Sequence, residues 1–139
     1  MGVKNDNLIE KRSYDFAVRI VNLYKHLKSA HKELILSKQI LRSGTSIGAN
    51  VCEATRAQSK NDFIAKISIA LKESYETDYW LRLLNDTEFI TEDEFKSIYL
   101  DCQDISNILA KILITSRGSQ NSQDGTLKED FTSYEALNL

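Results

Sequence analysis

Few residues in this 139-residue chain could carry chemistry. Its only histidines are His26 and His31, and its only cysteines are Cys52 and Cys102. A structural zinc site needs four ligands at short paired spacings, and a serine or cysteine nucleophile needs a histidine base with a third group to orient it. The chain has neither a glycine-rich phosphate loop nor the Glu-x-x-His pairs of a di-iron bundle. We therefore expect a non-enzymatic protein without a metal or cofactor.

A stripe of polar residues is the most unusual pattern in the chain. Its members recur at helical spacing and fall on one side of a predicted helix: Gln39, Arg42, Ser46, Asn50 and Glu53. A polar stripe is most often a solvated face. Ser46 and Asn50 are weak helix formers at mid-helix, however, and this favours a hydrogen-bonding role. The alternatives are thus a solvated face, a polar seam against another subunit, or the lining of a ligand site.

The charge of the chain is unevenly distributed along the sequence. Residues 1–72 contain 13 basic and six acidic residues (+7), and residues 73–139 contain five basic and 14 acidic residues (−9). Either the basic half has an anionic partner, or unlike surfaces self-associate, or two solvated faces offset each other. The candidate contacts for nucleic-acid phosphates are spread over three predicted helices: Lys25, Lys28, Lys32, Lys38, Arg42, Arg56, Lys60 and Lys66. No exposed aromatic alternates with them, so this signal is weak by itself.

Four segments with helical periodicity must position these residues. They are predicted at residues 13–29, 32–56, 61–85 and 92–115. Short connections force neighbouring helices to be antiparallel, so the chain predicts an all-α, up-down-up-down antiparallel four-helix bundle. In this division, residues 1–12 form a flexible N-terminal segment and residues 13–115 form the bundle. Residues 116–139 form a polar, disordered C-terminal tail.

Local signals support the predicted helices. Ser13 is expected to cap the first helix, and Thr91 and Glu94 form a capping box at the start of the fourth. Gly44 and Gly48 lie one turn apart on the apolar side of the second helix, which predicts the close approach of a neighbouring backbone; a helix break at this point is the alternative. The fourth helix carries a heptad seam: Phe95, Ile98, Cys102, Ile105, Leu109 and Ile112.

The third helix is apolar on more than one face. Ile69, Trp80 and Leu83 form a ridge that is offset from the face that would build the core. A helix that is apolar on two faces is buried more completely than an outer helix of a monomeric bundle. We therefore predict that these three residues pack against another subunit.

Residues 1–12 lack the apolar stretch of a signal peptide, and no apolar run is long enough to span a membrane. A cytoplasmic location with reduced thiols is therefore expected. In that setting the two cysteines are expected to be small core residues.

The stretch from Ser43 to Leu84 resembles a known family of four-helix-bundle proteins. The resemblance rests on residues of the second and third predicted helices: Ser46, Ile47, Ala49, Asn50, Glu53, Ser59, Phe63, Ala70, Glu73 and Glu76. Similar sequences are encoded by open reading frames within intervening sequences of bacterial 23S rRNA genes. The resemblance extends from about Tyr14 to Leu113 and so covers nearly the whole predicted bundle.

The resemblance also implies partners. A related branch comprises the accessory variability proteins of diversity-generating retroelements, which form pentameric barrels and bind a reverse transcriptase and nucleic acid through a basic surface. For this chain, the resemblance implies a cyclic homo-oligomer, with a pentamer favoured, and an accessory or ribonucleoprotein-associated role in binding RNA or DNA. The alternative is a structural protein–protein interaction module without affinity for nucleic acid.

Overall fold

The computed structural model describes residues 3–124, with the side chains of residues 8–118. This range consists of four helices: α1 (Val3–Ala30), α2 (Ile35–Ala54), α3 (Lys60–Asp86) and α4 (Glu92–Asp124). Each helix packs against two others, because α1 and α3 both contact α2 and α4. The predicted up-down-up-down antiparallel bundle is therefore confirmed. Within this range, no helix is both long and apolar enough to cross a membrane.

The first helix begins ten residues earlier than predicted, at Val3. Ser13 is not its N-cap, because Ser13 lies buried inside α1 and its hydroxyl donates to the Glu10 carbonyl at 3.1 Å. The helix continues upstream because Ile9, which is 1% exposed, extends the core stripe below Phe16. Residues 3–12, which were expected to lie outside the bundle, are thus part of α1.

The fourth helix continues past its predicted end at Thr115 and reaches Asp124. No proline interrupts the chain there, and the guanidinium of Arg117 donates to the Ser68 hydroxyl of α3 at 3.3 Å. The first nine residues of the predicted tail are therefore helical. The remainder of that predicted tail, residues 125–139, lies outside the described residues.

The turn between α1 and α2 explains why α2 begins at Ile35 and not at the predicted Lys32. Lys32 has a φ of 52°, in the left-handed region, which ends the helical path. The Glu33 carboxylate then accepts hydrogen bonds from the backbone N–H groups of the first three residues of α2, at 2.8 to 3.1 Å. Burial raises the pKa of the Glu33 carboxyl, but these bonds outweigh burial and hold the pKa below its usual value.

The two glycines of α2 face α1, and the close approach that they predict is confirmed. A Cβ atom at Gly44 would lie 2.7 Å from Cγ1 of Ile20, and one at Gly48 would lie 3.1 Å from the carbonyl oxygen of Ser13. The alternative of a helix break is wrong, because α2 is continuous through both glycines. The missing side chains let α1 and α2 lie close together.

The interior contains the predicted seam of α4 and a small set of hydroxyl pairs. Cys102 of this seam is fully buried, and burial raises the pKa of its thiol to about 12. The hydroxyls of Ser43 (α2) and Thr77 (α3) lie 3.0 Å apart, and those of Ser74 (α3) and Ser106 (α4) lie 2.8 Å apart. All four side chains are buried, so each hydroxyl pair joins two helices inside the core. At the start of α4, the predicted capping box is confirmed by both of its reciprocal bonds, at 2.9 and 3.2 Å.

Candidate functional surfaces

The polar stripe of α2 lies beside α3, and together they form one surface, which we call the α2–α3 face. Arg42 links the two helices by donating to Glu73 at 3.2 Å and to Glu76. The Glu76 carboxylate also accepts a hydrogen bond from the indole Nε1 of Trp80 at 3.1 Å. Burial raises the pKa of Glu76, but the bonds from Trp80 and Arg42 outweigh it, and the pKa lies below its usual value.

The rest of the stripe is also bonded within the chain. Glu53 pairs with Lys66 of α3 at 3.0 Å. The side-chain amide of Asn50 donates to the carbonyl and the hydroxyl of Ser46, at 2.9 and 3.1 Å, and Gln39 is exposed at the other end of the stripe. The charges of this face therefore largely offset one another, which disfavours it as a phosphate-binding surface.

The residues predicted to contact another subunit lie on this same face. Ile69 is 42% exposed and lies one helical turn from Glu73, while Trp80 and Leu83 are partly exposed further along α3. Tyr79, which is 51% exposed, contacts the Trp80 ring edge-on at a centroid distance of 5.0 Å. The structure thus brings together the polar stripe and the apolar ridge, which sequence reasoning had treated as separate features.

The eight basic candidates do not form one patch. Four of them lie around the α1–α2 turn, and we call this group the lysine end: Lys25, Lys28, Lys32 and Lys38. All four are exposed, and none forms an ion pair with another described residue. None of the four lysines of the lysine end is therefore neutralised by a direct ion pair with a described residue.

The other basic candidates lie elsewhere. Arg56, Lys60 and Lys66 are near the opposite end of the bundle, about 30 Å away along the 20-residue helix α2. Arg56 lies 3.9 Å from the Glu10 carboxylate, and Lys66 is paired with Glu53. Arg42, at mid-helix, is held by two glutamates. One copy of the chain therefore cannot present all eight to a single short stretch of phosphates.

On its other side, α1 contacts α4 through long charged side chains. Arg19 spans the two helices by donating to Asp101 at 2.7 Å and to the Ser97 hydroxyl at 2.9 Å. Arg12 lies 3.8 Å from Asp104, one turn further along. Between the helices these side chains leave a groove with two chambers, of about 340 and 390 Å³, and Arg19 lines both.

The chamber of about 340 Å³ lies toward the lysine end, and we call it the α1–α4 chamber. Besides Arg19, it is lined by three apolar and three polar residues: Leu23, Ile90, Ile98, Asn22, His26 and Glu94. The His26 and His31 rings are in edge-on contact with their centroids 5.6 Å apart, and the centroids of His31 and Phe89 are 5.5 Å apart. A backbone hydrogen bond from Thr91 and the nearby histidines lower the pKa of Glu94. No sequence pattern predicts this chamber, because its two walls are far apart in the chain.

Other reactive groups do not assemble into a site. In residues 8–118, no group of three or more His, Cys, Asp or Glu side chains is placed to hold a metal ion. Cys102 is in the core, as expected, whereas Cys52 is only half-buried and lies 2.9 Å from the guanidinium of Arg56. The two cysteines therefore have different surroundings and lie on different helices.

Comparison with known proteins identifies the family. The profile described as 23S rRNA-intervening sequence protein matches residues 5–111. The chain belongs to this family. Among solved structures, a protein of unknown function from the S23 ribosomal protein family of Bacteroides thetaiotaomicron is 56% identical, with a TM-score of 0.77. The alignment covers 78% of this chain and 97% of that one. No curated protein matches the chain.

The family resemblance inferred from the sequence is therefore confirmed, while the relation to retroelement accessory proteins stays a prediction. Five of the residues that carry the family resemblance are polar and are brought together on the α2–α3 face: Ser46, Asn50, Glu53, Glu73 and Glu76. Other such residues, including Ile47 and Ala70, are fully buried and build the core beneath that face. The family pattern thus concentrates where α2 meets α3.

Proposed function

We propose that this protein is a non-enzymatic, oligomeric accessory protein that binds RNA or DNA. Copies of the chain associate through the α2–α3 face, and the lysine end contacts nucleic-acid phosphates. The observation that carries the proposal is the contrast among the basic residues: carboxylates face Arg42, Arg56 and Lys66, whereas the four lysines of the lysine end have no ion pair with a described residue.

Exposed lysines bind phosphates because each contact releases a condensed counterion. Four such contacts give one copy a modest affinity. In a cyclic homo-oligomer every subunit has the same orientation to the axis, so all lysine ends lie on one rim and act together. A pentamer, which the family resemblance favours, would multiply the contacts in this way.

The α2–α3 face supports the association of copies because its charged groups are paired within the chain and because it also exposes large apolar side chains. Ile69 and Tyr79 are 42% and 51% exposed, beside the half-buried Trp80. Arg42 is already bonded to Glu73 and Glu76, so covering the face leaves none of these charges unpaired. Large aromatic side chains next to an arginine are typical of interface centres.

Fluorescence anisotropy tests the nucleic-acid part of the proposal. Wild-type protein is titrated into labelled structured RNA and duplex DNA at two salt concentrations, beside a variant with Lys25, Lys28, Lys32 and Lys38 changed to glutamine. We expect low-salt binding that weakens as salt rises, and a salt slope for DNA that falls by up to about 3.6 per copy in the variant. The matched control changes Lys96 and Lys111, which are exposed on α4, and keeps the wild-type slope. Absence of binding at low salt would overturn the proposal.

Light scattering tests the oligomeric part. The wild-type protein is expected to have the mass of a small oligomer, and Ile69→Glu is expected to reduce it to a monomer, since the new charge would be buried between copies. Leu100→Glu is the matched control, because Leu100 is 59% exposed on α4, away from the proposed interface. A wild-type protein that is a stable monomer would contradict the association through this face.

A second candidate function is a protein-interaction module without affinity for nucleic acid. It is favoured by the α2–α3 face, whose charges are compensated within the chain and which exposes Ile69 and Tyr79. Pull-down experiments separate the two functions. A protein partner that remains after nuclease treatment and is lost in Ile69→Glu would favour the interaction module, if the lysine variant still retains that partner.

A further inference from the structure

We propose that the α1–α4 chamber accepts an unstacked nucleobase, so that the protein prefers single-stranded nucleic acid to a duplex. The inference rests on the proposed nucleic-acid binding and adds the class of substrate. The volume of the chamber, about 340 Å³, lies within the range of roughly 300 to 1,000 Å³ that is usual for small-ligand sites. A single planar base is a ligand of this scale.

The lining of the chamber matches the surface of a base. A nucleobase has two flat apolar faces and an edge that carries hydrogen-bond donors and acceptors. The chamber offers apolar contact from Leu23, Ile90 and Ile98, an amide from Asn22 and a carboxylate from Glu94. The Asn22 amide makes no hydrogen bond with another described residue, so it can donate to and accept from a base edge. The His26 ring adds an aromatic surface for stacking.

The charges around the chamber give a bound nucleotide one orientation. Lys25 follows Asn22 by three residues on α1, so the lysine end begins one turn from the chamber wall. The opposite wall, on α4, carries the carboxylate of Glu94, and Asp101 lies beyond Arg19. The carboxylates repel phosphates and the lysines attract them. The base therefore enters between the helices while its phosphates lie on the side of α1 and the α1–α2 turn.

This arrangement distinguishes a single strand from a duplex. A base in a duplex is stacked and paired, and turning it out of the helix costs a few kcal/mol. An unpaired base can enter the chamber without that cost, while both kinds of nucleic acid can contact the lysines. The lysine end alone would favour the duplex, whose phosphates are more densely spaced, so a preference for the single strand depends on the chamber.

Abasic oligonucleotides test the inference directly, because they keep the phosphates and lack the bases. We expect wild-type protein to bind a normal single strand at least about fivefold more tightly than an abasic strand of the same length, the low end of what one stacked base contributes. Asn22→Trp, which fills the chamber, is expected to abolish this difference and to keep the affinity for the abasic strand. The matched control is Asn107→Trp on the exposed side of α4, which keeps the difference.

The outcomes separate the two proposals. Equal wild-type affinity for the normal and abasic strands overturns the chamber inference, and so does a difference that persists in Asn22→Trp. A wild-type protein that binds neither strand at low salt overturns the proposed nucleic-acid function itself. Circular dichroism shows whether Asn22→Trp is folded. If it is not, Asn22→Ala replaces it, and loss of at least part of the preference is the expected result.

Discussion

Helix α1 packs against its two neighbours in opposite ways. Against α2 it meets glycines, and the interface is so close that a Cβ at Gly44 would lie 2.7 Å from Ile20. Against α4 it meets carboxylates through Arg12 and Arg19, and chambers of about 340 and 390 Å³ remain between the helices. The length of the side chains at each interface thus determines the separation of the helices. One side of α1 stabilises the core, and the other leaves room for a ligand.

The largest expected effect is a loss of stability when a buried side chain between α1 and α2 is truncated. Ile20→Ala is expected to lower the free energy of unfolding by about 2–4 kcal/mol, because Ile20 is fully buried over Gly44 and its removal leaves a cavity. Urea denaturation measures this loss. Val18→Ala is the matched control on the same helix, where 45% exposure predicts a change within about 0.5 kcal/mol. Equal losses in the two variants would contradict the close packing.

Adding a side chain at Gly44, in the same contact, is expected to destabilise the protein less. Gly44→Ala places a Cβ 2.7 and 2.8 Å from two branched carbons of Ile20, which cannot move away as a flexible chain end could. Overpacking of about 1–3 kcal/mol, reduced by roughly 1 kcal/mol of helix propensity, predicts a net loss of about 0–2 kcal/mol. In an Ile20→Ala background the clash is absent, and Gly44→Ala should then stabilise the protein. Additive losses in this double-mutant cycle would show that the clash is not the cause.

A smaller and pH-dependent effect is expected at the turn between the closely packed helices. Glu33→Gln should lower the free energy of unfolding by about 1 kcal/mol at neutral pH, because the carboxylate caps α2 through three backbone N–H groups. The folded pKa of Glu33 is lowered, so its stabilisation is present above the usual glutamate value of about 4.3 and is lost as the pH falls through the folded pKa. Urea titrations should therefore show the two proteins converging in acid.

The matched control for this pH effect is Glu88→Gln, in the turn between α3 and α4 at the same end of the bundle. The Glu88 carboxylate makes no hydrogen bond with a described residue, so we expect little change at any pH. A deficit in Glu33→Gln that persists unchanged at low pH would mean that side-chain packing, and not the charge, holds the turn.

The smallest effect on stability is expected at the interface between α1 and α4. Arg19→Met removes the bridge to Asp101, whose side chain is 48% exposed, and partly exposed ion pairs contribute between about 0 and 1 kcal/mol. The wild-type protein should lose this small advantage at high salt, which denaturation at two ionic strengths would detect. A loss above about 2 kcal/mol would show that the α1–α4 interface depends on this bridge, and that the two sides of α1 are less different than their geometry indicates.

Local signals in the sequence predict the middle of this fold well. The bounds of α3 differ from the prediction by one residue at each end, and the Ser59 hydroxyl caps this helix by accepting from the Asp62 N–H at 3.0 Å. The predicted start of α1 and the predicted end of α4 were wrong, because tertiary contacts extend both helices. Ile9 is part of the core, and Arg117 donates a hydrogen bond to Ser68. No local sequence signal predicts either contact.

The candidate surfaces, like the helix ends, depend partly on tertiary contacts that the sequence does not reveal. Their residues were found from the sequence, but the pairing of Arg42 with Glu73 and Glu76 joins positions 31 and 34 apart, and depends on the packing of α2 on α3. That pairing neutralises Arg42, whereas the four lysines of the lysine end have no ion pair with a described residue. The α1–α4 chamber had no sequence signal, since it is a space between helices and not a pattern along one of them.

The two buried hydroxyl pairs bear on how the helices can slide. A shift of one helical turn, about 5.4 Å, would separate Ser43 from Thr77, or Ser74 from Ser106, and would leave each hydroxyl only the backbone carbonyl of its own helix. Sliding by one turn would therefore break the inter-helix bonds that favour the observed axial register of α2, α3 and α4. Among the described residues, α1 takes part in no such pair. The hydroxyl pairs thus oppose sliding of α2, α3 and α4 and place no such restraint on α1, the helix that borders both the close glycine contact and the α1–α4 groove.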